Sequence, residues 1–160
     1  MQLTKLFAAQ DLLVDFRPGD KWEAITQMLD HLCESGRIPA EAAEAAREAV
    51  LAREQSMSTG MEQGIAIPHG AVDGLEEVAA CMGIVGGEGG LPFDSIDGGP
   101  ARLVVVLVIP RDQKLLHIRT LADVARALTK EAVREALLEC ETSDEAWEIL
   151  ARNEAGAELA

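Results

Sequence analysis

The sequence predicts a three-layer α/β domain in which helices flank a mixed β-sheet. Apolar residues recur at helical spacing near both ends of the chain, and short apolar runs occupy its middle. The run LVVVLVI at 103–109 is apolar on both faces, which is typical of a strand covered on both sides. At 160 residues the chain has the length of one domain.

The N-terminal part predicts a strand and then a helix. Residues 12–16 are apolar enough for a short strand, and the spacing of Asp20 and Glu23 is that of a helix capping box. Gly36 is expected to end this helix. One helical face carries the apolar side chains Ile25, Met28, Leu29, Leu32 and Cys33.

A second helix, a loop and a short strand are predicted next. Pro39 favours a helix start, and the alanine- and glutamate-rich segment after it should run to about Gln55. The segment SMSTGMEQG at 56–64 has the composition of a loop. Residues 65–67 are a short apolar run that Pro68 should end, because proline lacks a backbone donor.

The remaining pattern predicts two buried strands and then helices. Residues 78–85 and 103–109 are the strands, the second of them central in the sheet. Thr142 and Glu145 should cap the last helix, and residues 153–160 should form a frayed tail after a single domain at 1–152. The predicted apolar faces of these helices are Ile118, Leu121, Ala122, Ala125 and Leu128, then Val133, Ala136, Leu137 and Cys140, then Trp147 and Leu150.

Charge and cysteine content limit the possible functions. The net charge of -14 should repel nucleic acid and anionic lipid, so a phosphoryl ligand would need a local cation or oriented N–H groups. Cys33, Cys81 and Cys140 lack paired spacing, which favours reduced core cysteines. The start of the chain does not resemble a signal peptide, and the longest aliphatic run has seven residues, 103–109. We expect a soluble cytoplasmic protein without direct membrane insertion.

The three histidines have different surroundings. His31 lies off the apolar face of its helix and is expected to be exposed. His69 lies just past a predicted strand end, where Pro68 and Gly70 would fix the backbone and leave room around the imidazole. It is either a reactive side chain or a turn histidine. His117 begins a helix, and its pairing with His69 does not follow from the sequence.

A histidine in such a position suits phosphoryl transfer. Its pKa of about 6.5 leaves a neutral nitrogen nucleophile near pH 7, and the transition state then needs donors to its equatorial oxygens. Arg53, Ser58, Thr59 and Gly60 could supply them. Alternatively, Arg53 neutralises the end of its helix, and the two hydroxyls are merely solvated. The acidic residues Glu41, Glu44, Glu48 and Glu54 are expected to form a solvated helix face.

Three segments carry a resemblance to a known family. REQSMSTGMEQGIAIPHG at 53–70 resembles the active-site segment of the fructose/mannitol-type IIA domains of the phosphotransferase system. FDSIDGGPARLVVVLVIP at 93–110 and DQKLLHIRTLADVARAL at 112–128 are similar to two further segments of that family. The likeness covers about residues 3–152. The DQ before His117 most resembles the nitrogen-regulatory IIA proteins.

The resemblance implies a phosphoryl carrier with a mixed sheet of about five strands. His69 would accept the phosphoryl group from the phosphocarrier HPr, with His117, Arg53 and Thr59 beside it. Ser58, Gly60 and Gly70 would help to position the phosphate. No metal or organic cofactor is implied. The sequence departs from the commoner pattern at Met57, Ala71 and Ile118, and Ala71 removes a possible positive charge that could affect partner choice.

Several alternatives remain open at the sequence level. The phosphoryl group could pass to a separate sugar-specific IIB unit, or phosphorylation could control binding to a regulated target protein. A zinc hydrolase using His69, His117 and Asp73 is a further reading, but the usual short metal-binding motifs are missing. A non-catalytic relative could bind a partner helix through an apolar patch.

Overall fold

A five-stranded mixed sheet forms the middle layer of the computed structural model, which describes residues 2–157. Two 3₁₀ turns, Ala9–Asp11 and Ala40–Ala42, precede β1 and α3. The elements in chain order are α1 (Leu3–Leu6), β1 (Leu12–Phe16), α2 (Lys21–Glu34), α3 (Ala43–Ser56), β2 (Ile65–Ala66), β3 (His69–Val72), β4 (Ala79–Val85), β5 (Leu103–Pro110), α4 (Lys114–Leu128), α5 (Glu131–Glu139) and α6 (Ser143–Glu154).

The strand order is β1-β4-β5-β2. β3 follows β2 along the same edge of β5 and pairs with the later residues of that strand. β4 and β5 are antiparallel, whereas β1 runs parallel to β4, and β2 and β3 run parallel to β5. β5 therefore has neighbours on both edges, and every residue of it is buried. This confirms the mixed sheet, its strand number and the central place of the 103–109 run.

The side chains of β5 alternate between two hydrophobic cores. Val104, Val106 and Val108 pack with α2 and α3 on one face of the sheet. Leu103, Val105 and Leu107 pack with α1 and the three C-terminal helices on the other face. Each such side chain contributes about 1.5–3 kcal/mol when fully buried. The predicted three layers are confirmed.

The helix ends follow the predicted caps with small shifts. The Asp20 carboxylate accepts a hydrogen bond from the Glu23 amide at 2.8 Å, and the Thr142 hydroxyl accepts from the Glu145 amide at 3.1 Å. α3 begins at Ala43, because the residues after Pro39 first form a 3₁₀ turn. α6 runs to Glu154, and residues 158–160 of the predicted tail lie outside the described residues.

The predicted buried face of α4 is wrong at its start. Ile118 is 67% exposed, and Ala122 is also exposed. The fully buried residues of α4 are Thr120, Val124, Ala127 and Leu128, and the predicted Leu121 and Ala125 are partly buried against the same core. Small or apolar residues occupy two neighbouring faces of this helix. The face that carries Thr120 is the one buried against the sheet.

His31 was also predicted wrongly, because it is half-buried. Its Nε2 lies 3.0 Å from the carboxylate of Asp11, which is fully buried. Arg37 donates to the same carboxylate at 2.6 Å and to the carbonyls of Leu6 and Val78. This polar cluster ties α2 to the N-terminal segment and to the start of β4.

The described residues include all three cysteines. Cys33, Cys81 and Cys140 are unpaired, and Cys81 is buried while the other two are half-buried. Within residues 2–157, helices fall short of the length and apolar character needed to cross a bilayer.

Candidate functional site

His69 is the first residue of β3. It was predicted to follow a strand end. In the structure, Ile67 and Pro68 separate β2 from β3, and β3 begins at His69 itself. Both β2 and β3 pair with β5. Between them, the Pro68 carbonyl accepts a hydrogen bond from the Leu107 amide at 3.0 Å, so the pairing with β5 continues across the gap. The His69 side chain that follows this interruption is half-buried.

One hydrogen bond determines the tautomer of His69. Its Nδ1 lies 2.8 Å from the carbonyl oxygen of Ile67. A carbonyl oxygen can only accept, so Nδ1 carries the proton and donates. Nε2 of the neutral ring therefore holds the lone pair.

His117 lies directly beside this ring. The two imidazole centroids are 5.4 Å apart with an interplanar angle of 78°, an edge-to-face arrangement. β5 brings the two histidines together, because it pairs with β3 at His69 and leads through a short turn into the first turn of α4. The sequence alone did not show this pairing.

Arg53 occupies the last turn of α3, and its positive charge acts on His69. Its Nη1 donates to the carbonyl of Met57 at 2.8 Å, so it closes the helix end. Gly70 lets β3 approach α3 closely, because a Cβ there would lie 2.9 Å from the Val50 nitrogen and 3.0 Å from the Ala49 Cβ. Arg53 is one turn beyond Ala49 and lies on the same helix side.

The environment of His69 favours its neutral form. Burial lowers the pKa of His69, and the hydrogen bond to Ile67 opposes this shift. The charges of Arg53 and His117 lower the pKa further. The net direction is downward, so the ring is a neutral nucleophile at pH 7.

The loop after α3 is held by internal hydrogen bonds. The hydroxyl of Ser58 donates to the Phe93 carbonyl and accepts from the Gly60 amide at 3.1 Å. The amide and hydroxyl of Thr59 both donate to the carboxylate of Glu54. In this conformation the loop groups bind the protein itself, and their contact with a phosphate stays a prediction.

Glu54 was missed as a site residue, and its assignment to a solvated face is wrong. It is only 2% exposed, whereas Glu41, Glu44 and Glu48 are exposed as predicted. Its Oε1 lies 3.8 Å from Nζ of Lys21, which also pairs with Asp94. The spacing of Ala46, Val50 and Glu54 at every fourth residue marks the buried side of α3 and could have revealed Glu54.

Asp73, the third residue proposed for a zinc site, does not lie with His69 and His117. Asp73 is exposed, and its carboxylate accepts from Nη1 of Arg111 at 2.9 Å. Within the described residues 2–157, groups of three His, Cys, Asp or Glu side chains placed to hold a metal ion are absent.

Fold and site together define a class of protein. It is an α/β domain with a neutral, half-buried imidazole on a strand of the sheet, beside a second imidazole and within the electrostatic reach of a guanidinium. A family model described as phosphoenolpyruvate-dependent sugar phosphotransferase system, EIIA 2, matches residues 5–153. The chain belongs to this family, which confirms the resemblance seen in the sequence.

Sugar-specific and regulatory proteins both occur among the relatives. A fructose-specific EIIA component of Haloferax volcanii is 33% identical over 134 residues, 84% of each chain. A nitrogen regulatory protein of Klebsiella oxytoca is 38% identical over 111 residues, 69% of this chain and 66% of that protein. A fructose-specific EIIABC component of Bacillus subtilis is 29% identical over 150 residues, 94% of this chain but only 23% of that protein's length.

Solved structures show the same fold. The nitrogen regulatory protein IIA-Ntr of Neisseria meningitidis superposes with a TM-score of 0.78 at 24% identity, covering 92% of this chain and 98% of that one. Enzyme IIA-mannitol of Escherichia coli, solved in complex with phosphorylated enzyme IIB-mannitol, has a TM-score of 0.75 at 26% identity and covers 91% and 96%.

Proposed function

We propose that this protein is a phosphoryl carrier, phosphorylated reversibly by HPr on Nε2 of His69. The observation that supports this most is the hydrogen bond from Nδ1 of His69 to the Ile67 carbonyl. It leaves the Nε2 lone pair free on a ring whose lowered pKa keeps it neutral. The family provides the phosphoryl chemistry for which such a nitrogen is suited.

In the proposed reaction the Nε2 lone pair attacks phosphorus as the bond between phosphorus and the donor atom breaks. That electron pair returns to the donor protein. Nδ1 keeps its proton throughout, so His69 needs no separate base. The loose transition state places charge on three equatorial oxygens, and the Arg53 guanidinium and the His117 imidazole are the neighbouring groups that would stabilise it.

An apolar rim around the site supports docking of partner proteins. Leu115 and Ile118 flank His117 on α4 and are 75% and 67% exposed. Met57 and Ile96 lie next to the 58–60 loop and are 68% and 75% exposed. Such large exposed apolar side chains are typical of a surface that binds another protein.

We infer a nitrogen-type regulatory role, because the 38% identity to a nitrogen regulatory protein is the highest of the relatives described above. In this role the phosphorylation state would control binding to a target protein. The second candidate is a sugar-specific component that passes phosphate to a IIB unit. The match to a fructose-specific EIIA component over 84% of both chains favours it.

Phosphorylation by the upstream carrier tests the proposal. Incubation with phosphoenolpyruvate, enzyme I and HPr should add one acid-labile phosphoryl group, measured by intact mass. His69→Ala should abolish it, while the control His31→Gln should retain it, since His31 contacts Asp11 instead. A phosphorylated His69→Ala variant would overturn the assignment.

Labelled phosphate separates the two roles. A regulator should keep its label in the presence of IIB and IIC components and sugar, whereas a sugar-specific component should lose it to sugar phosphate. Transfer to sugar would replace the regulatory role with the second candidate.

A further inference from the structure

A buried carboxylate at the end of α3 starts a chain of hydrogen bonds that leads to His69. The amide of Thr59 lies 2.8 Å from Oε2 of Glu54, and its hydroxyl lies 2.9 Å from the same oxygen. Lys21 pairs with this carboxylate through Nζ at 3.8 Å. A carboxylate this deeply buried must be satisfied by such partners, so the loop and Glu54 hold one another in place.

Thr59 connects the carboxylate to the segment before His69. Its carbonyl accepts a hydrogen bond from the Ile67 amide at 3.3 Å. The Met61 amide donates to the Ile65 carbonyl at 2.7 Å, which adds a second link between the two segments. The loop held by Glu54 therefore restrains the backbone around Ile67.

Ile67 in turn contacts the reactive ring. Its amide faces Thr59, and its carbonyl accepts from Nδ1 of His69. A residue before a proline is confined to extended backbone, so once hydrogen bonding fixes the amide of Ile67, its carbonyl has little freedom to turn. A freed Ile67 carbonyl would let the imidazole exchange its proton between Nδ1 and Nε2, and the Nε2–H form lacks the lone pair where phosphorus must bind.

We propose that Glu54 is a positioning residue that sets the tautomer of His69 through Thr59 and Ile67. This role deepens the proposed function and rests on it. The side chain does not touch the reacting atoms. It acts by holding the backbone that holds the ring.

The tautomer can be measured without any partner protein. In wild-type protein, ¹⁵N NMR of the His69 ring near pH 8 should show Nδ1 protonated and Nε2 unprotonated. Glu54→Ala should shift the Nε2 resonance toward the protonated value, because the Nε2–H form becomes populated. Glu54→Gln should keep most of the wild-type pattern, since its amide oxygen still accepts from Thr59. Glu48→Ala is the matched control, because Glu48 is exposed on the same helix.

Transfer kinetics provide the second readout. Glu54→Ala should slow the transfer rate constant roughly tenfold or more, because the nucleophile is misaligned. The KM for phosphorylated HPr should change less than the rate constant, because Leu115 and Ile118 of the docking rim lie on α4 and not on the loop that Glu54 holds. Glu54→Gln should transfer faster than Glu54→Ala. Equal loss in both variants would mean that the charge of Glu54 matters rather than its hydrogen bonds, which overturns the inference.

The design separates this inference from the proposed function. If wild-type protein is phosphorylated on His69 and Glu54→Ala keeps both the tautomer and the rate, only the positioning role is wrong. If wild-type protein is not phosphorylated, the proposed function fails, and the NMR result still decides the hydrogen-bond route. Should Glu54→Ala not fold, Glu54→Asp serves instead, since its shorter side chain draws the carboxylate away from both the amide and the hydroxyl of Thr59. An unchanged tautomer in a folded Glu54→Asp variant would then refute the route.

Discussion

Replacing Gly70 with alanine tests whether the close contact between β3 and α3 positions the site. The added Cβ would lie 2.9 Å from the nitrogen of Val50 and 3.0 Å from the carbonyl carbon and Cβ of Ala49. Optimal carbon contacts are about 3.5–4.0 Å, so strand and helix must separate by roughly 0.5–1 Å. Two of these atoms are backbone, so a side-chain rotation cannot relieve the contact.

The expected cost has a stability part and a kinetic part. Overpacking of this kind destabilises by about 1–3 kcal/mol, equivalent to a fall in Tm of roughly 2–12 °C for a chain of this size. A displacement near 1 Å between His69 and Arg53 should also slow phosphorylation by up to about 10²-fold. Thermal unfolding followed by circular dichroism measures the fall in Tm. The rate of label incorporation from HPr measures the slower phosphorylation.

Gly19→Ala is the matched control for this substitution. Its added Cβ would meet only the flexible carboxylate end of Glu23, at 2.7 Å, and it lies outside the site. We expect a change within about 0.5 kcal/mol and a wild-type phosphorylation rate. If Gly70→Ala matches Gly19→Ala in both measurements, the contact between β3 and α3 does not position the site.

Three further perturbations follow from the site and the polar cluster. Because the pKa of His69 is lowered in the native state, the unfolded chain binds its proton first, so stability should fall as the pH drops below about 6.5. Urea unfolding at several pH values should show that the free energy of unfolding falls more steeply in wild type than in His69→Gln. The same pH dependence in both proteins would contradict this prediction. Arg53→Gln should raise the pKa of His69 in an NMR titration and slow phosphoryl transfer about 10²-fold; an unchanged pKa and rate would remove Arg53 from the site. Asp11→Ala leaves Arg37 without its buried partner and should lower the free energy of unfolding in urea by about 3 kcal/mol. Phosphorylation of the folded variant should persist, and wild-type stability would disprove the role of the polar cluster.

Four of the five strands were predictable because their signals are local, whereas β3 was not predicted. β1 matches the predicted 12–16 strand, and β5 extends the apolar run at 103–109 by one residue. A run apolar on both faces can only be satisfied between two layers, so the central strand followed from composition. The face of α4 was less predictable, because two apolar stripes compete and only contact with the sheet decides between them.

The site was predictable where one short segment carries it. Arg53 and His69 stand in the 53–70 segment, and their residue types suggested the chemistry. Glu54 was overlooked because its neighbours on the chain are polar, although its position relative to Val50 marks the buried side of α3. His31 was misjudged because its partner, Asp11, is brought to it by the packing of α2 on the N-terminal segment.

The sequence by itself determined the layers, the order of the five longer helices and of every strand except β3, and the candidate nucleophile, since each depends on residues close together in the chain. Only the tertiary structure decided which groups surround that nucleophile. The pairing of His69 with His117 requires β3 and β5 to lie side by side. The burial of Glu54 requires α2, α3 and the following loop to close over it. These are contacts between distant segments, and their geometry exists only after the two cores have formed.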